Sequence, residues 1–302
     1  METRRALVTG ATGYVGSNLV RRLITEGWDI HIIARSTSSL ELLAKESDRV
    51  TVHRHDGTIE KLDEIVRLSR PDVTFHLASL FLPQHAPCDV DRLVTNNILF
   101  ATQLVETLVA NGTYRLVNTG TSWQHFEDRD YSPVNLYAAT KQAFESILQY
   151  YVEASGLQAI TLKLFDTYGP HDPRPKLLHL LEKIAREEST LAMSPGEQLI
   201  DLVYIDDVVE GFLMAAQRML AGGILRSECY ALSSGRPIRL KDLVEVFSIA
   251  VGKNIAIEWG ARSYRPREVM VPWHTFATLP GWSPRVSLET GLARILSSVQ
   301  NA

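Results

Sequence analysis

The sequence predicts an α/β protein: a doubly wound parallel β-sheet followed by a smaller α/β lobe at the C-terminal end. Short apolar stretches alternate with helical stretches through the first half of the 302-residue chain. Each connection is long enough for the crossover that parallel strands require. The first apolar stretch runs directly into three glycines, Gly10, Gly13 and Gly16, placed at every third residue. This arrangement is typical of sheets that bind a ligand at the carboxyl ends of their strands.

Composition excludes several classes of protein. The net charge of −4 is too small to indicate a nucleic-acid partner. With only Cys88 and Cys229, and no cysteine or histidine pair at ligand spacing, we expect no disulfide framework and no metal site. The first residues lead into a strand without room for a signal peptide, and no apolar run approaches the length that spans a bilayer. We therefore expect a cytoplasmic protein with no membrane partner.

The glycine turn predicts a dinucleotide site. Gly10 allows a tight turn out of the strand, Gly13 leaves room for a pyrophosphate, and Gly16 lets the next helix lie close to the sheet. The positive end of that helix would face the phosphates. A glycine-rich turn that binds nothing is the alternative. We assign to this site the residues Gly10, Thr12, Gly13, Tyr14, Val15 and Gly16.

The end of the second strand indicates which dinucleotide binds. An NAD enzyme usually has an acidic residue here for the ribose hydroxyl, whereas an arginine accommodates the extra phosphate of NADP. This chain has Arg35 followed by Ser36 and no carboxylate. We predict that both residues hold the 2′-phosphate and that NADPH is preferred over NADH; the alternative is a surface arginine without a ligand.

Two further strand ends and one long helix complete the predicted cofactor site. The third strand ends at Asp56 and Gly57, where a carboxylate could meet the adenine. The fourth strand ends in small residues, which allow a cofactor to approach closely. The long helix after it carries Asn97. We assign to the site Asp56, Gly57, Leu77, Ala78, Ser79 and Asn97.

A proton-transfer group follows the fifth strand. That strand ends at Thr121, and a helix beginning near Asn135 places Tyr137 and Lys141 four residues apart, hence on one face. A free phenol has a pKa of about 10, and a nearby ammonium lowers it. We predict that Tyr137 exchanges a proton with the substrate and that Lys141 lowers the pKa of Tyr137 and holds a ribose. Thr121 would orient the substrate oxygen.

The glycine pattern, Thr121 and the Tyr137-x-x-x-Lys141 pair together resemble the extended short-chain dehydrogenase/reductase family, also called the NAD-dependent epimerase/dehydratase family. Residues 165–170 resemble its Phe-Asn-x-Tyr-Gly-Pro segment, with Asp166 where asparagine is usual. Residues 201–208 resemble its Arg-Asp-(apolar)-Asp-Asp segment, although Ile200 replaces the arginine, and residues 281–284 resemble its Gly-Trp-x-Pro segment.

The resemblance implies a domain organisation and a substrate class. It implies a dinucleotide-binding Rossmann domain over residues 1–168, onto which residues 201–223 pack back, and a lobe over residues 169–302 that mainly binds a nucleotide-linked sugar. It also implies a homodimer formed through the helices that begin near Val90 and Asn135. We assign seven residues to the sugar-nucleotide site, some because of this resemblance and others because of the loop in which they lie. They are Phe81, Thr121, Ser122, Trp123, Asp166, Arg174 and Arg265.

The absence of certain acidic residues limits which reaction of this family the chain is expected to catalyse. Sugar 4,6-dehydratases follow the catalytic threonine with an acidic pair, whereas this chain has Ser122 and Trp123. Epimerases that retain NAD are not expected to carry Arg35. Residues 118–125, 137–142 and 194–198 resemble deoxysugar 4-ketoreductases of the CDP-abequose synthase type. We therefore expect an NADPH-dependent 4-ketoreductase, with an NAD-retaining epimerase and a non-catalytic dinucleotide sensor as the alternatives.

Overall fold

The computed structural model describes residues 3–187 and 189–300. The strands, in chain order, are β1 Arg5–Thr9, β2 Asp29–Arg35, β3 Thr51–His55, β4 Val73–His76, β5 Arg115–Thr121, β6 Gln158–Leu164, β7 Asp166–Tyr168, β8 Leu191–Met193, β9 Leu199–Ile200, β10 Leu202–Tyr204, β11 Ser227–Leu232, β12 Ile238–Arg239 and β13 Ile257–Trp259. The α-helices are α1 Tyr14–Thr25, α2 Ile59–Ser69, α3 Val90–Val94, α4 Phe100–Ala110, α5 Leu136–Ser155, α6 Leu177–Glu187, α7 Ile205–Leu220, α8 Leu240–Val251 and α9 Leu288–Gln300.

The central sheet has seven parallel strands in the order β11-β6-β5-β4-β1-β2-β3. The chain leaves β1 toward β2 and β3, then returns to place β4 on the other side of β1. The crevice between β1 and β4 is therefore the point at which the strand order reverses, and ligands bind at such points in open α/β sheets. The predicted doubly wound parallel sheet is confirmed.

Helices cover both faces of the sheet, and its inner strands, such as β1 and β4, are buried on both sides. One buried cluster joins the sheet to α1, α7 and the C-terminal lobe, and includes Leu19 and Phe212. The other joins it to α2, α4 and α5, and includes Leu104 and Phe144. Helix α7 packs against α1, β5 and β6, so this part of the 201–223 segment lies on the sheet.

Among the described residues, the C-terminal lobe contains three two-stranded sheets and the helices α6, α8 and α9. The pairs are β7 with β10, β8 with β13, and β9 with β12. Strand β11 leaves this lobe and becomes the edge strand beside β6, so the lobe and the sheet share chain segments. The indole of Trp282 donates to the Asp207 carbonyl at 2.8 Å, which fastens the end of the chain to α7.

One helical run corrects the expectation that no segment has the length and polarity of a membrane span. Residues 87–110 form a nearly continuous helix of 24 residues with a mean hydropathy of 1.3, long and apolar enough to cross a membrane by length and composition alone. Its inner face packs on the sheet through Leu104 and Leu108. Val90, Val94 and Leu99 are exposed on it. The homodimer through this run and α5 stays a prediction.

Candidate active site

The glycine turn lies in the crevice between β1 and β4. Gly10 has φ of +71°, and a Cβ there would lie 2.6 Å from the Ala78 nitrogen. A Cβ on Gly16 would lie 2.1 Å from the Gly10 oxygen. Gly13 differs, because its Cβ would meet only the Gly10 oxygen, at 3.4 Å. Two glycines thus permit the close packing of the turn, and the third leaves the start of α1 open.

A cavity of about 550 Å³ opens above this turn. Its walls contain most of the predicted cofactor residues, namely Gly10, Thr12, Gly13, Arg35, Ser36, Asp56, Gly57, Leu77, Ala78 and Ser79. They also contain Thr37, Ser38 and Asn96, which sequence reasoning missed. The run of hydroxyl residues after Arg35 was the available signal for the first two.

Four residues predicted around the glycine turn and the long helix do not line this cavity. The Tyr14 side chain is 4% exposed, its hydroxyl donates to the Pro170 carbonyl at 3.2 Å, and the Arg174 guanidinium lies over its ring. Val15 packs against the core, and Gly16 lies behind the turn. Tyr14 and Val15 can therefore serve a dinucleotide only through their main chain.

The fourth of these residues, Asn97, acts from behind the cavity wall. Its side chain is 1% exposed and lies in a π-helical turn, Thr95–Leu99. Its oxygen accepts from the Leu80 N–H at 2.7 Å, and its amide donates to the Leu80 carbonyl and to the Thr140 hydroxyl. Asn97 thus fixes the Ser79–Leu80 wall to helix α5.

Helix α5 begins where the sequence predicted and presents both reactive side chains. Asn135 caps it by accepting from the Ala138 N–H at 2.9 Å, which places Tyr137 in the first turn and Lys141 in the next. The Phe81 ring meets the Tyr137 ring edge-on, with centroids 5.0 Å apart. Ser79, on the first cavity wall, interacts with the phenol. Because Phe81 lines a second cavity, Tyr137 lies at the junction of the two.

The electrostatics of the pair differ from the expectation. Burial raises the pKa of Tyr137 to about 12, opposed by the Ser79 hydroxyl, and Lys141 is not among the groups that shift it. Burial also lowers the pKa of Lys141 to about 8. The predicted lowering of the phenol pKa by Lys141 is thus absent from this structure, because loss of water around Tyr137 dominates. The phenol therefore keeps its proton at neutral pH.

Lys141 carries an amino group in a buried position where a ligand could bind it. It is 2% exposed, and its ammonium makes no hydrogen bond within the described part of the chain. Burial penalises the charged form of this group and lowers its pKa, so further acceptors near the ammonium would stabilise it. Lys141 does not line the first cavity. It lies on helix α5 behind the Ser79–Leu80 wall, on which ribose hydroxyls would supply such acceptors, and the residues of that wall fit such a cofactor.

Thr121 ends β5 and is 8% exposed. Its hydroxyl oxygen accepts from the Trp123 N–H at 3.3 Å, so its own hydrogen stays available for a substrate oxygen. Neither Thr121 nor Tyr137 forms a wall of either cavity. Both lie behind the walls, where the cavities meet the end of β5 and the start of α5.

The second cavity, of about 590 Å³, lies between the sheet and the C-terminal lobe. The predicted substrate residues other than Thr121 line it: Phe81, Ser122, Trp123, Asp166, Arg174 and Arg265. The two arginines are already engaged, Arg174 by Asp172 and Arg265 by Glu268. Their charge is therefore shared with a carboxylate rather than free.

Several residues that line the second cavity were not predicted from the sequence. Lys176 lies 3.1 Å from the Asp166 carboxylate, and the His125 and Trp273 rings stack with centroids 3.8 Å apart. Gln198 is 7% exposed and its side-chain oxygen is without a partner. Each comes from a different loop of the fold, so no local spacing could have brought them together. Among the described residues no cluster suited to a metal ion occurs.

The fold and the two neighbouring cavities define a Rossmann-type dinucleotide-binding protein with a tyrosine–lysine helix beside them. The family model described as "NAD dependent epimerase/dehydratase family" matches residues 6–226. The chain belongs to this family.

Curated relatives match nearly the whole chain. A CDP-abequose synthase of Salmonella muenchen is 26% identical over 298 residues, covering 97% of each chain. A UDP-glucose 4-epimerase of Mycolicibacterium smegmatis is also 26% identical, covering 98% of this chain and 99% of the relative. The crystal structure of a Thermus thermophilus UDP-glucose 4-epimerase complexed with NAD superposes with a TM-score of 0.82 at 23% identity, covering 99% of both chains.

Proposed function

We propose that this protein uses NADPH to reduce a 4-keto group on a nucleotide-activated deoxyhexose. The observation that carries the proposal is the residue at the end of β2. Arg35 lines the dinucleotide cavity at the position where an NAD-binding protein of this fold usually has an acidic residue. A guanidinium there suits the 2′-phosphate of NADP.

The surroundings of Arg35 support this assignment. Its side chain is exposed at the cavity, and no carboxylate of the described residues forms an ion pair with it. The Arg35–Ser38 turn is held by the Ser38 N–H donating to the Arg35 carbonyl at 3.0 Å and by Arg54 donating to the same carbonyl at 2.7 Å. The loop therefore presents one unpaired guanidinium beside three hydroxyl residues.

Replacing Arg35 with alanine is expected to weaken NADPH binding about tenfold or more and to leave NADH binding almost unchanged. The reason is the loss of a charged hydrogen bond, which contributes about 1.5–3 kcal/mol. Dissociation constants from fluorescence titration measure the effect. Arg49→Ala, at an exposed arginine outside the cavity, is the matched control. Equal losses for the two dinucleotides would show that Arg35 does not contact the phosphate.

The site residues have distinct roles in the reduction. Tyr137, protonated at neutral pH, donates its proton to the carbonyl oxygen as the alcohol forms. The Thr121 hydroxyl donates a hydrogen bond to the same oxygen, and the Lys141 ammonium holds the nicotinamide ribose. When bound, NADPH would supply the hydride for the carbonyl carbon.

The second cavity supports a sugar nucleotide as substrate. Next to Tyr137 its wall is aromatic, with the Phe81 and Trp123 rings 5.6 Å apart between centroids, which suits a deoxysugar. Lys176 and Arg265 also line this cavity, and Arg265 lies over the Trp123 ring. Each is paired with a carboxylate, Asp166 or Glu268, which a diphosphate would replace as its partner. The resemblance to CDP-abequose synthases agrees with this class of substrate. A homodimer and a cytoplasmic location belong to the same proposal.

A nucleotide-sugar epimerase that retains NAD is the second candidate. The observation that favours it is the similarity to UDP-glucose 4-epimerases, among them the NAD complex. Such an enzyme would be purified with stoichiometric NAD and would need none added. Against it stands Arg35, which lines the cavity where an NAD-binding protein of this fold usually has an acidic residue.

The proposal is tested by incubating the protein with NADPH and a panel of nucleotide 4-keto sugars and following the loss of absorbance of the reduced cofactor. We expect consumption with a 4-keto-6-deoxy sugar nucleotide. No consumption with any member of the panel, together with tightly bound NAD in the purified protein, would favour the epimerase.

A further inference from the structure

A charged pair lies beneath the catalytic residues. Lys163 of β6 is 2% exposed, and its ammonium donates to the two carboxylate oxygens of Glu145 at 2.9 and 2.7 Å. Glu145 follows Lys141 by one turn of α5. Burying two charges costs most of what their attraction returns, so such a pair is weak evidence for stability. Its position points to another role.

Gln124 connects this pair to the end of β5. It is fully buried, and its amide donates to Glu145 at 3.0 Å and to Gln142 at 2.7 Å. Its oxygen accepts from the Thr121 N–H at 2.9 Å. An unbroken chain of hydrogen bonds therefore runs from Lys163 through Glu145 and Gln124 to the main chain of Thr121.

The absence of a side chain at Gly120 makes room for this chain of contacts. A Cβ there would lie 2.7 Å from Lys163 Cδ, 3.0 Å from a Glu145 oxygen and 3.1 Å from the Gln124 oxygen. All three side chains thus lie directly against the β5 backbone. A glycine inside a strand often marks such a close approach, and here it lies next to Thr121.

The same cluster surrounds Lys141 with charge. Glu145 on its own helix raises the pKa of Lys141, and Lys163 from β6 lowers it. His76 from β4 faces Lys141 as a neutral ring, because burial and the ammonium hold its pKa well below the usual value. Tyr137 on the same helix is protonated. Glu145 is therefore the one of these groups that favours the charged form of Lys141.

We propose that Gln124, Glu145 and Lys163 form a positioning cluster that holds the Thr121 main chain against helix α5, and that Glu145, one turn after Lys141 on that helix, stabilises the Lys141 ammonium. None of the three lines either cavity, so they act through Thr121 and Lys141. The inference rests on the roles given to those two residues in the proposed function.

The charge role is tested by measuring the dissociation constant of NADPH between about pH 6 and pH 10, which spans the Lys141 transition. In the wild type, binding weakens as Lys141 loses its proton. Glu145→Gln moves this transition to lower pH by about one unit, and Lys163→Met moves it to higher pH. Opposite shifts cannot come from a loosened fold. Lys163→Arg keeps the charge, so we expect its transition at the wild-type pH. If Lys163→Met does not fold, the shift in Glu145→Gln carries the test.

The positioning role is tested by Gln124→Met, which removes the acceptor of the Thr121 N–H and leaves every charge in place. We expect kcat to fall about tenfold, with the pH transition unmoved. Three results would overturn the inference. They are a wild-type kcat in Gln124→Met, pH transitions that do not move in Glu145→Gln and Lys163→Met, and transitions that move in the same direction in these two variants. A wild-type profile with no transition would instead remove the role of Lys141 in the proposed function, and this inference with it.

Discussion

Replacing Tyr137 with phenylalanine is expected to lower kcat by about 10²–10⁴-fold, the usual contribution of general acid catalysis. The phenol carries its proton at neutral pH and lies behind the cavity walls, and phenylalanine keeps the ring that packs against Phe81. Cofactor binding should therefore be almost unchanged. Steady-state kinetics and a dinucleotide titration measure the two effects separately.

Tyr131→Phe is the matched control for this prediction. Tyr131 is 58% exposed and lies on the loop before α5, outside both cavities. The control should retain wild-type kcat. If Tyr137→Phe also turns over at nearly the wild-type rate, Tyr137 is not the proton donor.

The second large effect is expected from a pair of glycine substitutions in the same turn. Gly16→Ala would place a methyl group 2.1 Å from the Gly10 carbonyl oxygen, and backbone atoms cannot move away cheaply. We expect the free energy of unfolding to fall by about 1–3 kcal/mol or more. Urea denaturation of the cofactor-free protein measures it.

Gly13→Ala is the counterpart that separates binding from folding. Its methyl group would meet only the Gly10 oxygen, at 3.4 Å, and the φ of −90° suits alanine. We expect almost unchanged stability and a loss of dinucleotide binding of at least tenfold, because the methyl group occupies the space of the pyrophosphate. Wild-type affinity for NADPH in Gly13→Ala would place the phosphates elsewhere.

Local patterns were enough to predict the framework of the site. The glycine spacing predicted the turn after β1, and Asn135 predicted the start of α5, which fixes Tyr137 and Lys141 on one face. Alternation of strands and helices predicted the parallel sheet. Each of these inferences depends on patterns within short segments of the sequence, which determine the local backbone structure.

The parts that could not be predicted depend on contacts between distant segments. The Tyr14 side chain does not line the cofactor cavity, because its hydroxyl donates to the Pro170 carbonyl and the Arg174 guanidinium lies over its ring. Both residues are far from Tyr14 in the sequence. The raised pKa of Tyr137 depends on how much water the folded protein excludes. The apolar helical run 87–110 packs one face on the sheet, and which face is buried depends on strands that are distant in the sequence.

The most direct measurement of the central claim follows deuterium from the nicotinamide of NADPH into the product of the 4-keto sugar reaction. The proposed reduction predicts one deuterium at carbon 4 of the sugar for each NADPH oxidised, detected by mass spectrometry and NMR. No deuterium in the product of the 4-keto sugar, together with conversion of a 4-hydroxy sugar nucleotide into its carbon-4 epimer without loss of NADPH, would contradict it.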